Sequence, residues 1–151
     1  MGDKKILLKV VTPDRTVVNA PVDMVGAVGT EGAFTALPGH IDFLTALKAD
    51  EVWYRQEGQL REIAVSGGFI EVGPSQISVL ADTAEYLEEI DVERARAAKQ
   101  RAEEELENMM AKAKAAAQNA QDSGRAEITQ AAANLTRAAN RLKLAGKRPP
   151  R

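Results

Sequence analysis

Short apolar runs broken by glycine and proline fill the first half of the chain, and the period of the pattern changes once, between residues 80 and 95. Residues 4–12 (Lys-Lys-Ile-Leu-Leu-Lys-Val-Val-Thr) read as a strand, Pro13-Asp14 as a turn, and 15–19 as a second strand. Pro21 cannot donate to a ladder and belongs at a sheet edge or strand start. Residues 22–28 form a third run, and Pro38-Gly39 forces a turn within 31–47. Four more strands follow at 51–56, 59–66, 68–72 and 76–82, joined tightly by Glu57-Gly58 and by Gly73-Pro74-Ser75. Ile63/Val65 and Ile77/Val79/Ala81 alternate strictly, which marks sheets with one buried face. Eight or more short strands in this stretch argue a β-sandwich or a flattened barrel.

Beyond residue 90 the apolar period lengthens from two to about 3.6, so the backbone changes from strand to helix. Asp91 is placed as the N-cap, with its carboxylate accepting from the free N–H groups of Glu93 and Arg94 and its charge matched to the helix dipole. A first helix spans about 92–117, with Ala95, Ala98, Ala102, Leu106, Met109, Met110 and Ala113 on its inner face. Residues 119–124 supply a turn, and a second helix spans about 125–145, ended by Gly146. Its stripe is Ile128, Ala131, Ala132, Leu135, Ala138, Ala139, Leu142 and Ala145. The two stripes imply an antiparallel hairpin. Its seam is mostly alanine, which favours each helix intrinsically but holds the pair together weakly. Two helices that persist while their mutual packing can be given up make a candidate bistable element; an ordinary static hairpin is the alternative.

Charge sharpens this division. The formal net charge of −2 conceals 7 Lys+Arg against 13 Asp+Glu in residues 1–88, and 13 against 9 in residues 89–151. From Arg125 onward, seven basic residues face Glu127 alone. An acidic β half and a basic tail helix imply different partners for each. There is no cysteine, so disulfides and thiolate metal sites are excluded, and His40 is the single histidine. No apolar run approaches the roughly 18 residues of a membrane span, and the start lacks a signal-peptide apolar region. The expectation is a soluble, cytosolic chain, or one peripheral on a membrane through its partners.

Candidate chemistry is sparse. Gly26, Gly29 and Gly32 match neither a dinucleotide fingerprint nor a phosphate loop, and read as turns and bulges in a bent sheet. His40 and Asp42 sit beside the Pro-Gly turn, but Val65-Ser66-Gly67-Gly68 is not a nucleophile elbow, so an independent enzyme lacks its nucleophile, metal and cofactor signatures. A nucleic-acid binder using the basic tail lacks aromatic platforms, and the acidic half repels phosphates.

Three stretches, taken together, resemble one family: Glu31-Gly32…Leu37-Pro38-Gly39-His40…Leu44-Thr45-Ala46-Leu47, then 66–72 (Ser-Gly-Gly-Phe-Ile-Glu-Val), then 79–84 (Val-Leu-Ala-Asp-Thr-Ala). Followed by Ile90-Asp91-x-x-Arg94-Ala95, they are similar to the epsilon subunits of the bacterial rotary (F-type) ATP synthase. The resemblance implies an α+β chain, with a ten-stranded β-sandwich over 1–87 and an antiparallel two-helix hairpin over 88–151. It also implies a non-catalytic central-stalk subunit, peripheral on the cytoplasmic face of the bacterial inner membrane and associated with it only through the complex.

The same resemblance implies that the sandwich binds the gamma subunit and sits on the c-subunit ring, coupling stalk to rotor. Extended helices would meet the catalytic alpha/beta head and oppose ATP hydrolysis; the alternative for this arm is a static scaffold. By position, Glu31, Pro38, Gly39 and His40 match the loop facing the c ring. Ile90, Asp91, Arg94 and Ala95 match a motif linked to regulatory ATP, which Arg137 and Arg141 on the second helix would complete; no cofactor is required. Arg137, Arg141, Lys143, Lys147 and Arg148 are the expected inhibitory contacts with the beta subunit.

Overall fold

The computed structural model of this chain describes residues 4–116 and 123–147. Nine strands come first: β1 (Ile6–Val11), β2 (Thr16–Val22), β3 (Met24–Gly29), β4 (Gly32–Ala36), β5 (Phe43–Gln56), β6 (Gln59–Val65), β7 (Gly68–Val72), β8 (Gln76–Ala81) and β9 (Ala84–Tyr86). A 3₁₀ turn at Leu87–Glu89 follows, and then α1 (Val92–Ala116) and α2 (Ser123–Ala145). The chain divides into two compact units, Met1–Glu89 and Ile90–Arg151.

The alternation that predicts strands also builds the core of the first unit. Ile6, Leu8 and Val10 of β1 are completely buried, as are Ile77 and Val79 of β8. Each such side chain contributes about 1.5–3 kcal/mol by leaving water. β1 and β8 run parallel, with Leu8 opposite Ile77 and Val10 opposite Val79, although the pairing bridges most of the unit's sequence. Every other ladder is antiparallel.

β5 organises the sandwich. Its first segment, Phe43 to Leu47, pairs with β7, and its second, Glu51 to Gln56, pairs with β6. The second segment also pairs with β3 through Met24 to Ala27. One strand therefore passes through both layers. One layer is β2-β1-β8-β7-β5 and the other is β4-β3-β5-β6-β9. Counted by its partners, β5 is two strands, which reconciles nine continuous strands with a ten-stranded sandwich. Pro21 lies within β2, an edge strand of the first layer, where a missing N–H does no harm.

Turn chemistry follows the sequence closely. Glu57 (φ 52°) and Gly58 (φ 78°) take the two left-handed positions of a type I′ hairpin between Gln56 and Gln59. Asp23, between β2 and β3, pairs with Lys5 and accepts from the Gly58 N–H, and its carboxyl is held below the usual carboxylate value, chiefly by the Lys5 hydrogen bond. Buried Tyr54 meets Tyr86 hydroxyl to hydroxyl at 3.0 Å.

In the second unit, Asp91 caps α1. Its Oδ1 accepts from the Arg94 N–H at 2.9 Å, and its carbonyl accepts from the Ala95 N–H at 2.9 Å. α1 and α2 pack on each other. Buried alanines recur every seven residues, at Ala95 and Ala102 on α1 and at Ala131, Ala138 and Ala145 on α2. Met110 and Ala113, expected in this seam, are exposed. Met110 lies about 100° around the helix from Met109, which is next in the α1 row, and so turns to solvent. Ala113 lies close to the row in angle and is exposed as well. Leu142 is half-buried, whereas Leu144 is completely buried and Asn140 nearly so, on a different side of α2 from its alanine row. Gly124 lies inside α2 rather than in the connection. The rest of the expected connection, 119–122, and the expected end of α1 at residue 117 lie outside the described residues.

Candidate functional site

The outer face of the first layer is apolar where a soluble sheet is usually polar. Leu44, Phe69 and Leu80 are 67%, 57% and 60% exposed. Phe69 lies opposite both Ala46 and Leu80, Leu80 lies opposite Val11, and Leu44, whose own partner is Glu71, lies diagonally beside Phe69. Four neighbouring strands thus present one continuous apolar strip. Beside it a depression of about 400 Å³ is lined by Val11, Thr12, Pro13, Phe69, Leu80 and Asp82. Exposed apolar patches of this kind mark interaction surfaces. Leu44, Phe69 and Leu80 all fall within the stretches that carry the family resemblance; their exposure, however, depends on which parity of each strand faces inward, and no sequence pattern showed it.

The Pro38-Gly39 turn stands at one end of this layer. Gly39, at φ 88°, donates its N–H to the Pro74 carbonyl at 2.8 Å, and the His40 N–H closes the turn on Leu37 at 3.0 Å. His40 donates from Nδ1 to the Ile41 carbonyl at 2.8 Å, and its ring tilts against Phe43. Leu37 and Ile41, 57% and 79% exposed, extend the apolar character onto the loop. Glu31 is exposed in the β3–β4 turn, at the other end of β4. Five residues of extended strand, about 17 Å, separate it from Pro38, so these four residues do not form one loop.

The helical candidates divide differently. Asp91 spends one carboxylate oxygen on the cap, Arg94 is exposed, and Ile90 and Ala95 are buried at 3% and 0% exposure. Arg137 and Arg141 are half-buried, one turn apart on α2, while Lys143 and Lys147 are exposed. Arg148 lies outside the described residues. Among the described residues no cluster of three or more His, Asp or Glu is placed to hold a metal ion, and no helix is long and apolar enough to cross a membrane.

Residues 5–87 match the ATP synthase delta/epsilon chain β-sandwich domain, and residues 88–146 match the long α-helix domain of the same chain. An ATP synthase epsilon chain from Syntrophobacter fumaroxidans is 45% identical over 95% of this chain and 98% of its own length. One from Bacillus pumilus is 40% identical over 95% and 99%. In solved structures, the fold is shared with a chain of the Euglena gracilis mitochondrial ATP synthase, at 22% identity and a TM-score of 0.69, covering 91% of this chain and 79% of that one.

Proposed function

This chain belongs to the ATP synthase delta/epsilon family, and from that membership we propose that its sandwich joins the gamma subunit to the c ring and that its helical arm opposes ATP hydrolysis. It is a non-catalytic subunit of the central stalk. The observation that carries the coupling role is the apolar strip across β5, β7, β8 and β1, centred on Leu44, Phe69 and Leu80. A face of this composition loses free energy by being covered, and the gamma subunit is its occupant in this reading. The loop at Leu37 to Ile41 and the separate turn at Glu31 are the two points offered to the ring. The complex then sits at the cytoplasmic face of a bacterial membrane, with this chain held there by its partners alone.

Two features support the brake. The seam between α1 and α2 is built from alanine, so separating the helices exposes little apolar surface. The basic side chains Arg137, Arg141 and Lys143 of α2 and Lys147 just after it suit an acidic surface on the beta subunit. Regulatory ATP fits the exposed Arg94 at the α1 N-terminus together with Arg137 and Arg141, whose forked guanidinium groups suit phosphate oxygens.

Hydrolysis by a reconstituted head and stalk, with the full chain and with a chain stopped after Leu87, tests the arm. A several-fold rise on truncation with assembly intact supports the brake; unchanged hydrolysis leaves a static scaffold. Phe69→Glu tests the strip, since loss of stalk assembly is expected while the isolated variant stays folded. Isothermal titration without heat at millimolar ATP removes the nucleotide.

A further inference from the structure

We propose that Arg15 and Glu89 form a clasp that closes the end of the sandwich and sets the residue at which the connection to the helical unit begins. Glu89 is the last residue of the first unit. Its Oε2 accepts from two donors: the Arg15 guanidinium at 3.1 Å and the Tyr86 backbone N–H at 3.1 Å. The second bond folds the 3₁₀ turn back onto β9, in the manner of a capping box. The first ties that turn to the β1–β2 connection, across 74 residues of sequence.

Arg15 is well placed to hold it. The Thr12 N–H donates to the Arg15 carbonyl at 2.9 Å. The Thr12 hydroxyl donates to the same carbonyl and accepts from the Arg15 N–H, each at 3.1 Å. The turn that carries Arg15 is thus closed three times by one residue. β9 is three residues long and, among the described residues, pairs with β6 alone, so such a tie matters to it. Buried Ala84 and Leu87 and the Tyr54–Tyr86 hydroxyl pair also anchor it, and just before it Thr83 bonds Ser66.

The clasp is built to open. Its side chains are 53% and 44% exposed, so water and salt weaken it. Closed, it makes Tyr86 to Glu89 part of the sandwich, and the connection to the helical unit begins at Ile90. Open, it gives the helical unit the 3₁₀ turn as additional tether. The clasp itself rests on the geometry of the first unit alone; its influence on hydrolysis rests on the brake proposed above.

Hydrogen exchange on the full chain tests it, comparing the wild type with Arg15→Gln, Glu89→Gln and the double variant. Amides 86–89 should exchange on the order of two- to fivefold faster in each single variant. The double variant should be no faster than Glu89→Gln, because the pair is lost once. Wild-type exchange at these amides should rise between 50 mM and 500 mM NaCl, about as far as in Arg15→Gln, while amides of β1 and β8 stay protected. Wild-type exchange in Arg15→Gln, additive effects in the double variant, or no response to salt overturns the clasp. In the reconstituted assembly, faster exchange in Arg15→Gln with unchanged hydrolysis retains the clasp and removes its link to the brake.

Discussion

The indole of Trp53 occupies the space that a side chain at Gly26 would need. The two residues face each other across the β3–β5 ladder, and a Cβ built on Gly26 would meet three ring atoms at 2.0, 2.2 and 2.3 Å. The ring covers a strand position that has no side chain of its own, which repairs the weakness of glycine in a sheet. Gly26→Ala should therefore expel the ring and cost about 1–3 kcal/mol. Trp53 is the single tryptophan, so its emission reports directly: a red shift with a lower urea midpoint is the expected result.

Gly68 is under tighter constraint. It stands at φ 118°, and an added Cβ would meet the Leu80 carbonyl oxygen at 2.0 Å and the Ala81 Cα at 2.8 Å. Both obstacles are backbone, which cannot swing aside as an indole can. Gly68→Ala should cost more than Gly26→Ala, above about 3 kcal/mol, through forced separation of β7 and β8. The measurement is the urea midpoint of each variant at pH 7.

Acid should weaken the first unit partly through Asp23. Its carboxyl is held below the ordinary value by the Lys5 hydrogen bond, against a smaller opposing effect of burial. The folded state thus favours the ionised form. The stabilisation is complete above the unfolded value near pH 4 and disappears as pH falls through the lower folded value. Asp23→Asn should be less stable than wild type at pH 7, with the gap narrowing as pH falls below about 4.

Tyr54 acts at the other end of the scale. Burial, first, and then the Tyr86 hydroxyl push its phenol well above the ordinary value. A raised folded value contributes stability that is complete below the unfolded value near pH 10 and is lost as pH rises beyond it. Alkaline unfolding should accordingly start above about pH 10 and be less steep in Tyr54→Phe, which should also lose about 0.5–1.5 kcal/mol at pH 7 with its hydroxyl partner.

Asp91 has a specific task at the α1 N-terminus. Asp91→Ala removes the acceptor for the Arg94 N–H and should cost the helical unit about 0.5–2 kcal/mol. Asp91→Asn, which keeps an acceptor oxygen, should recover most of it. Exchange at the Arg94 amide and the helical thermal transition at 222 nm separate the two variants.

The change of period at Asp91 was legible because a cap is local: one carboxylate, one orphan N–H, three residues apart. The Glu57-Gly58 hairpin was legible for the same reason. What the sequence hid was long-range. Lys48, Ala49 and Asp50 interrupt the alternation, so 31–47 and 51–56 read as separate stretches, whereas β5 (Phe43–Gln56) joins the end of one to the whole of the other. The parallel pairing of β1 with β8 leaves no mark in either strand alone. Among the candidate sites, motif matching located Glu31 and the Pro-Gly-His turn but not their separation by the length of β4. In the helices, a stripe drawn at a period of 3.6 admitted Met110 and missed Asn140 and Leu144, because a polar residue and an off-row leucine carry no periodic signal.

A strand that belongs to two layers is also a covalent path between them. Twist applied at Phe43 to Leu47 reaches Glu51 to Gln56 along peptide bonds, rather than through one greasy layer sliding on another. Shearing the layers apart would require β5 to give up its ladder with β7 in one layer or its ladders with β3 and β6 in the other. In mechanical terms the sandwich is a keyed coupling rather than a friction plate, and β5 is the key.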